Sequence, residues 1–429
     1  MNWGVFALFA SLAIFFIIRM PISFSMLASC IIYFLVARPA SMGMVYSVIT
    51  GDMITGFTML AAPLFVFMAN VLNEGEVTDK MFSFCNGLLG RLKGGTAQVN
   101  VFISLIFSGM SGSAIADASG IGLMEIEQMK KEGYDAEFSC AITAASATVG
   151  PIFPPSIPMV IYAMLSGASV GKLFAGGMVP GVLLALMLMV YCFYISYKRN
   201  YPAGVKMTLR QFGRATLVAF PALFTVILLL GGIYSGVCTP TEAGAVASAY
   251  ALLISAVVYR TLGWKRLATI LKKTAANTAT LAALCGTAYL FSKIIALEKV
   301  PNAVSGFVTG ITTNKNLFLL VVNIVFLLLG CVLDVSTIQL VFVPMVLPIV
   351  KAFGIDLVHF GVVICLNMMI GLSTPPFGML LFIVSGLGKT RIGGVIKEII
   401  PMVLIMIVLL FLCTYIPDII MFIPNHMAG

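Results

Sequence analysis

Two proline pairs interrupt long apolar runs of this chain, one within Gly150–Ser156 and the other within Gly371–Pro376. Proline removes a backbone hydrogen-bond donor and clashes with the preceding helical turn, and glycine loosens the backbone beside it. Within a bilayer, the carbonyls and amides freed by such a break are costly unless polar groups lie against them. Two breaks at corresponding places in two halves of a membrane protein indicate a transport site. The sequence therefore predicts a secondary transporter with the two breaks at its centre.

The surrounding sequence is that of a membrane protein with many helices. The chain has 429 residues, of which 60% are hydrophobic and 10% are charged, whereas soluble domains carry roughly 25% charged residues. Apolar segments of about 20 residues recur along the chain, and this length is enough to span a bilayer. We predict an all-α polytopic membrane protein with about ten transmembrane helices. The predicted spans are 3–19, 21–38, 53–74, 135–167, 171–197, 212–235, 239–259, 274–297, 356–388 and 396–424.

Two further segments, about 95–130 and 315–351, are apolar on both arms but small and polar in the middle. The polar middles are Ser111–Ser113 and Leu333–Ser336. We predict that both segments are re-entrant hairpins, which a membrane tolerates only where protein or a wet cavity covers them.

Basic residues cluster in the short loops Lys198–Arg214 and Arg260–Lys273, a pattern typical of cytoplasmic loops. This pattern explains the net charge of +9 without a nucleic-acid partner. Counting spans from these two loops places the other strongly basic loops on the same side and both termini in the periplasm. Arg19 beside Pro21 is assigned to a cytoplasmic turn. The two histidines lie far apart, and no cysteine has metal-ligand spacing, so we expect no metal other than a transported cation.

The chain also matches itself at an offset of 221 residues. The matched pairs include Gly109 with Gly330, Gly150 with Gly371, and Pro154–Pro155 with Pro375–Pro376. We predict a first repeat over 1–200 with its broken helix at about 135–167, and a second over 201–429 with its broken helix at about 356–388. Five spans and one hairpin in each half give an odd number of crossings, which inverts the second copy. The two broken helices would then meet at the membrane midplane.

Four motifs resemble the large membrane subunit of tripartite ATP-independent periplasmic (TRAP) transporters, and the chain is identified as a DctM-like member close to the sialic acid branch. The motifs are Phe107–Asp117, Gly150–Pro158, Thr239–Ala243 and Gly371–Gly378. The resemblance covers essentially the whole chain. It implies sodium-coupled import of an organic anion through the bacterial inner membrane, with a transport domain moving like an elevator against a scaffold in contact with lipid. It also implies two protein partners, a small membrane (Q) subunit and a soluble periplasmic substrate-binding protein.

Two sodium sites follow from this resemblance and from the repeat. A sodium ion binds oxygen atoms, and unwound carbonyls and small hydroxyls supply them. The first site is predicted to use Ser111, Ser113, Gly150, Phe153 and Pro155. The second is predicted to use Gly330, Asp334, Gly371, Thr374 and Pro376. The alternative for the serines and glycines is that they only let helices pack closely.

The substrate is predicted to bind between the two hairpin tips, at Ser113, Ser156, Asp334 and Thr374. Asp334 is an acid inside the membrane, where charged residues are expensive and usually functional. Thr374 is predicted to cap a half-helix that has Pro375 at its first position. Asp117 either anchors its hairpin arm or takes part in the site, and the sequence leaves both open.

Several alternatives remain at this stage. The substrate is predicted to be a sialic acid, with a C4-dicarboxylate as the alternative. A sodium and anion symporter without partners is the main rival within transport. A channel would need a continuous polar pore, and an intramembrane protease would need a Ser/His or paired Asp constellation, neither of which the spans contain. We therefore predict a transporter and no enzyme.

Overall fold

The computed structural model describes residues 3–427 apart from 56, 76, 205–206 and 312–313. Over these residues the chain is helical and has no sheet, only one antiparallel bridge between Lys93 and Ala203. Six of the described helices are long and apolar enough to cross a membrane. The all-α polytopic class is therefore confirmed.

The described residues form ten helices in the first half of the chain and ten in the second. The first ten are α1 (Trp3–Ile17), α2 (Ile22–Ala37), α3 (Gly43–Thr55), α4 (Ala61–Glu74), α5 (Val77–Leu89), α6 (Gly95–Ser111), α7 (Ala114–Lys131), α8 (Ala136–Ala147), α9 (Ile157–Ser166) and α10 (Val170–Lys198). The others are α11 (Leu209–Tyr234), α12 (Pro240–Leu253), α13 (Trp264–Leu297), α14 (Val300–Ile311), α15 (Lys315–Gly330), α16 (Val335–Ala352), α17 (Leu357–Leu372), α18 (Met379–Gly388), α19 (Ile392–Tyr415) and α20 (Asp418–His426).

The two hairpins and the two broken helices lie where the sequence predicted interruptions. The pairs α6–α7 and α15–α16 form the hairpins, and the pairs α8–α9 and α17–α18 form the broken helices. An offset of 221 residues carries the bounds of α7 onto those of α16. The division into inverted repeats at residue 200 stays a prediction, as does the placement of the termini.

Two predicted spans are wrong as single helices. A 3-10 turn at Phe57–Leu60 divides the span 53–74 between α3 and α4. Residue 56 of this span lies outside the described residues. Pro63 suits the first turn of α4 but would clash with the carbonyl four residues earlier in a continuous helix. The span 396–424 ends early because Ile416, which precedes Pro417, leaves the helical region with φ −119° and ψ 82°.

Three other helices differ from the prediction. The short helices α5 and α14 were not predicted, because they are too short to read as spans. Helix α13 begins at Trp264, ten residues before its predicted start. Its early turns carry Lys265, Arg266, Lys272 and Lys273, so the basic run is helical and the prediction of a loop over Arg260–Lys273 is wrong for these residues.

Two sets of helices contact each other where α4 packs on α6 and α13 packs on α16. We call α1–α4 with α11–α13 the scaffold, and α6–α9 with α15–α18 the hairpin block. Within the block, α9 packs on α16 and α18 packs on α7. The second half of each broken helix therefore lies against the second arm of the hairpin from the other half of the chain. Helix α13 of the scaffold packs on α16 and brings Leu281 to the hairpin tips.

Candidate functional site

The tip of the first hairpin lies directly against the first break. Helix α6 ends at Ser111, and Gly112 then takes the left-handed conformation with φ 60°. A Cβ at Gly112 would lie 2.6 Å from the carbonyl oxygen of Pro155, so only glycine allows this approach. Ser113 is extended and caps α7, because its hydroxyl oxygen accepts a hydrogen bond from the amide of Ala116 at 3.4 Å.

Asp117 lies between this tip and the break. The hydroxyl of Ser111 donates to its Oδ1. Its Oδ2 is buried and has no hydrogen-bond partner among the described residues. A Cβ at Gly150 would lie 2.5 Å from that Oδ2, so the free carboxylate oxygen lies against the break. A buried carboxylate oxygen without a partner is costly. A cation bound at this position would supply the missing partner.

Two residues predicted for the first sodium site, Ser111 and Gly150, thus lie next to Asp117. Asp117 itself was not among the predicted ligands of that site. Ser111 bonds to it and Gly150 touches it. The sequence did contain a signal, since Asp117 is an acid six residues after Ser111 within an apolar hairpin. Phe153 lies against Gly181 of α10, and Pro155 meets the tip through its carbonyl.

The second hairpin meets the second break at two glycines. A Cβ at Gly371 would lie 2.6 Å from the Cα of Gly330, so the two backbones are in direct contact. Asp334 caps α16, and its Oδ2 accepts from the amide of Thr337 at 3.1 Å. Its Oδ1 accepts from the hydroxyl of the same threonine. Asp334 therefore occupies on α16 the capping position that Ser113, 221 residues earlier, occupies on α7.

The two tips face one central cavity of about 180 Å³. Ser113 and Asp334 both line it, and Leu281 contributes the scaffold side. The other lining residues are Gly112, Ala114, Ile115, Pro151, Ile157, Pro158, Val335, Ser336, Met369 and Leu372. The cavity thus combines apolar walls with a few polar groups from both halves of the chain, which is the usual composition of a small-molecule site.

Two predicted substrate residues do not line the central cavity. Ser156 is fully buried and caps α9, because its oxygen accepts from the amide of Met159 at 3.2 Å while its hydroxyl donates to the carbonyl of Pro151. The hydroxyl of Thr374 donates to the carbonyl of Ile370 at 2.6 Å.

The prediction that Thr374 caps a half-helix is wrong. Helix α18 begins at Met379 with Gly378 before it, so Pro375 and Pro376 lie in the turn between the two half-helices. The amide of Gly378 bonds back to the carbonyl of Thr374 at 3.1 Å, which closes that turn before the helix starts.

Sequence and structure comparisons relate the chain to known transporters. Residues 9–419 match the family described as "Tripartite ATP-independent periplasmic transporter, DctM component". The chain is 39% identical to the sialic acid TRAP transporter large permease protein SiaM of Vibrio cholerae, over 88% of each protein. It is 36% identical to the C4-dicarboxylate TRAP transporter large permease protein DctM of Pseudomonas aeruginosa, over 87% of each. The solved YdaH transporter of Alcanivorax borkumensis matches over 87% of each chain with a TM-score of 0.64 and 14% identity, a likeness of fold alone.

Proposed function

The chain belongs to the DctM family of TRAP transporter large membrane subunits, and from this membership we propose that it imports an organic acid by sodium symport. The import would cross the bacterial inner membrane. The observation that carries the proposal is the central cavity, where Ser113 and Asp334 of the two hairpin tips face the same space. A substrate held there would touch both halves of the chain at once.

The coupling ions would bind beside the two tips. In the first site, we propose that Asp117 joins Ser111, Ser113 and backbone carbonyls of the break, because its buried Oδ2 lacks a partner among the described residues. In the second site, Asp334 would supply the negative charge near the contact of Gly330 with Gly371. Carboxylate, hydroxyl and carbonyl oxygens are the donors that hard cations take in proteins. Bound sodium would then offset the charge of an anionic substrate.

The substrate is proposed to be a sialic acid. The SiaM relative is 39% identical and the C4-dicarboxylate relative 36% identical, so the margin in favour of sialic acid is small. We also propose two partners, a small membrane subunit and a periplasmic substrate-binding protein, as TRAP membership implies. A C4-dicarboxylate substrate and a symporter without partners are the alternatives that the uptake experiment separates.

The test is uptake of labelled N-acetylneuraminate into proteoliposomes that contain this chain and its small-subunit partner. Sodium gradient and binding protein are each supplied or withheld. Accumulation that requires both supports the proposal. Uptake of succinate instead of N-acetylneuraminate would replace the substrate and keep the mechanism. Uptake without the binding protein would contradict the tripartite assignment, and uptake without sodium would contradict the coupling.

Ser113→Ala and Asp334→Ala are each expected to lower uptake at saturating sodium by about tenfold or more, because each removes a polar group from the cavity that both halves share. Initial uptake rates across a range of sodium concentrations give the measurement. Ser119→Ala on α7 is the matched control, since its exposed hydroxyl donates to the carbonyl of Ile115 and to no other described residue. If either cavity variant shows the sodium dependence of the wild-type protein, the substituted residue does not take part in the site.

An elevator movement would need a weakly bonded surface between the scaffold and the hairpin block. A cavity of about 150 Å³ at this surface is lined by small and apolar side chains of α4, α9 and α13. They include Ala62 on α4, Val160 on α9 and Ala282 on α13. Apolar contacts have no fixed direction, so they permit sliding more readily than hydrogen bonds do. This composition supports the proposal that the block moves as a unit.

A bifunctional thiol reagent that joins Val160→Cys to Ala282→Cys is expected to stop uptake, because it ties the hairpin block to the scaffold. Reduction of the link should restore uptake. The matched control joins Ala62→Cys to Ala282→Cys, two scaffold positions on the same cavity, and should leave uptake near the wild-type rate. The single-cysteine variants control for native thiols such as Cys285. Full uptake through the block-to-scaffold link would exclude the elevator movement.

A further inference from the structure

A second cavity is lined by both Arg19 and Asp334, and Asp334 also lines the central cavity. The second cavity has a volume of about 450 Å³ and lies between the scaffold and the tip of the second hairpin. The scaffold wall consists of Phe16 of α1, the connection from α1 into α2 at Arg19–Ser23, and Thr280 and Leu284 of α13. A molecule in this space would therefore touch a basic group on the scaffold and an acidic group on the hairpin block.

Arg19 differs from the arginines that have evident structural partners. Arg38 pairs with Glu298 at 3.2 Å, and Arg199 pairs with Asp135 at 2.9 Å. The side chain of Arg19 is exposed and makes no hydrogen bond or ion pair with the described residues. Its backbone is left-handed with φ 60°, a conformation that is unfavourable for an L-residue. A guanidinium at this position is thus available to a ligand.

The start of α2 adds a second feature that favours an anion. Helix α2 begins at Ile22, and no side chain of the described residues caps its first turn. Pro21, Ile22 and Ser23 all line the cavity beside Arg19. The free amides and the positive end of the helix dipole favour negative charge at this point. A guanidinium beside such a turn matches a carboxylate, which it can bind through two parallel hydrogen bonds.

We propose that Arg19 and the first turn of α2 bind the carboxylate of the transported organic acid in this second cavity, next to Asp334. The inference rests on the proposed function, which supplies the class of ligand. It makes Arg19 a substrate-binding residue of the scaffold, whereas the sequence assigned it only to a turn. When the hairpin block and scaffold separate, the substrate would pass between Asp334 and Arg19. It would thereby move from the central cavity to the second cavity.

The test uses Ser23→Cys as a reporter, because Ser23 lines the cavity and its replacement leaves Arg19 in place. The rate at which a methanethiosulfonate reagent labels the introduced thiol is measured in the purified protein. N-acetylneuraminate and succinate are each titrated into the reaction. We expect one of them to slow labelling. Adding Arg19→Gln should raise the ligand concentration needed for protection by about tenfold or more, and Arg19→Lys should restore part of it.

Arg260→Gln in the same reporter background is the matched control. Arg260 is also a left-handed arginine, with φ 54°, but it does not line this cavity. It should leave protection unchanged. Protection that survives Arg19→Gln would overturn the proposal, as would equal protection by inorganic phosphate, which would indicate a site for any anion. Absence of labelling at the introduced thiol would show that the cavity is closed to the reagent and would overturn it as well.

The labelling assay separates this proposal from the proposed function. It needs no sodium gradient, membrane or binding protein, so it reports only anion binding at the second cavity. Arg19-dependent protection without sodium-driven uptake would overturn sodium symport and keep the anion site. Sodium-driven uptake, together with protection that does not depend on Arg19, would keep sodium symport and overturn the anion site at Arg19.

Discussion

Replacing Asp117 with asparagine is expected to abolish sodium-dependent uptake without unfolding the protein. The carboxylate is buried, bonds to Ser111 and leaves its Oδ2 without a partner among the described residues. Asparagine has nearly the same shape but no charge, so it removes the attraction for a cation while it keeps the packing. Removal of a buried unpaired charge also relieves a desolvation cost, so the variant should be at least as stable in sodium-free buffer.

Thermal unfolding in detergent gives the direct measurement. Sodium at about 100 times its Kd would stabilise the wild-type protein by roughly 2.7 kcal/mol if it binds only the folded state. The resulting rise in Tm should shrink in Asp117→Asn, because one of the two proposed sites is lost. Glu127→Gln is the control, since Glu127 is exposed on the same helix and undergoes the same change of charge. A full sodium-induced shift in Asp117→Asn would remove Asp117 from the ion site.

Glu125 provides a sharper comparison within α7. It is also buried, and its Oε1 has no partner among the described residues. If Asp117 and Ser111 form a local ion site, Glu125→Gln should keep most of the sodium-induced rise in Tm. An equal loss in both variants would mean that the two carboxylates act as a pair, and the ion site would then have to include Glu125.

The sequence predicted the parts of the centre that local chemistry determines. A proline pair close to a glycine favours a break in a helix, so the breaks at Gly150 and Gly371 could be located closely, although single prolines such as Pro180 lie inside continuous helices. The capping roles of Ser113 and Asp334 also depend on short-range chemistry, although the sequence analysis did not predict them. These features need only the residues within a few positions of one another.

The sequence did not predict where Asp117 and Arg19 lie relative to distant parts of the chain. Whether Asp117 faces lipid, its own hairpin or the break depends on how α7 packs on α8, and that packing joins residues distant in the chain. Arg19 is similar, because charge and a neighbouring proline indicated a turn but not the cavity that the turn lines. The short helices α5 and α14 were missed for another reason, since neither is long enough to give the signal of a span.

Gly371→Ala is expected to cause the second large effect, a loss of most uptake together with a lower Tm. The new methyl group would lie 2.6 Å from the Cα and 2.7 Å from the carbonyl carbon of Gly330. Both contacts are backbone atoms, so no flexible side chain can move aside. The second hairpin would have to separate from the second break, and Asp334 would move away from the proposed ion site. Overpacking of this kind typically costs about 1–3 kcal/mol.

Gly386→Ala distinguishes crowding from the general effect of adding a methyl group. Gly386 lies in α18, within the same hairpin block, and a Cβ there would meet no atom of the described residues within 4 Å. Alanine is favoured over glycine in a helix by about 1 kcal/mol, so this control should be neutral or slightly more stable. Gly330→Ala should reproduce the loss seen in Gly371→Ala, because it crowds the same contact from the other side. If Gly371→Ala transports normally, the close approach of hairpin and break is not required for function, and the ion site must tolerate their separation.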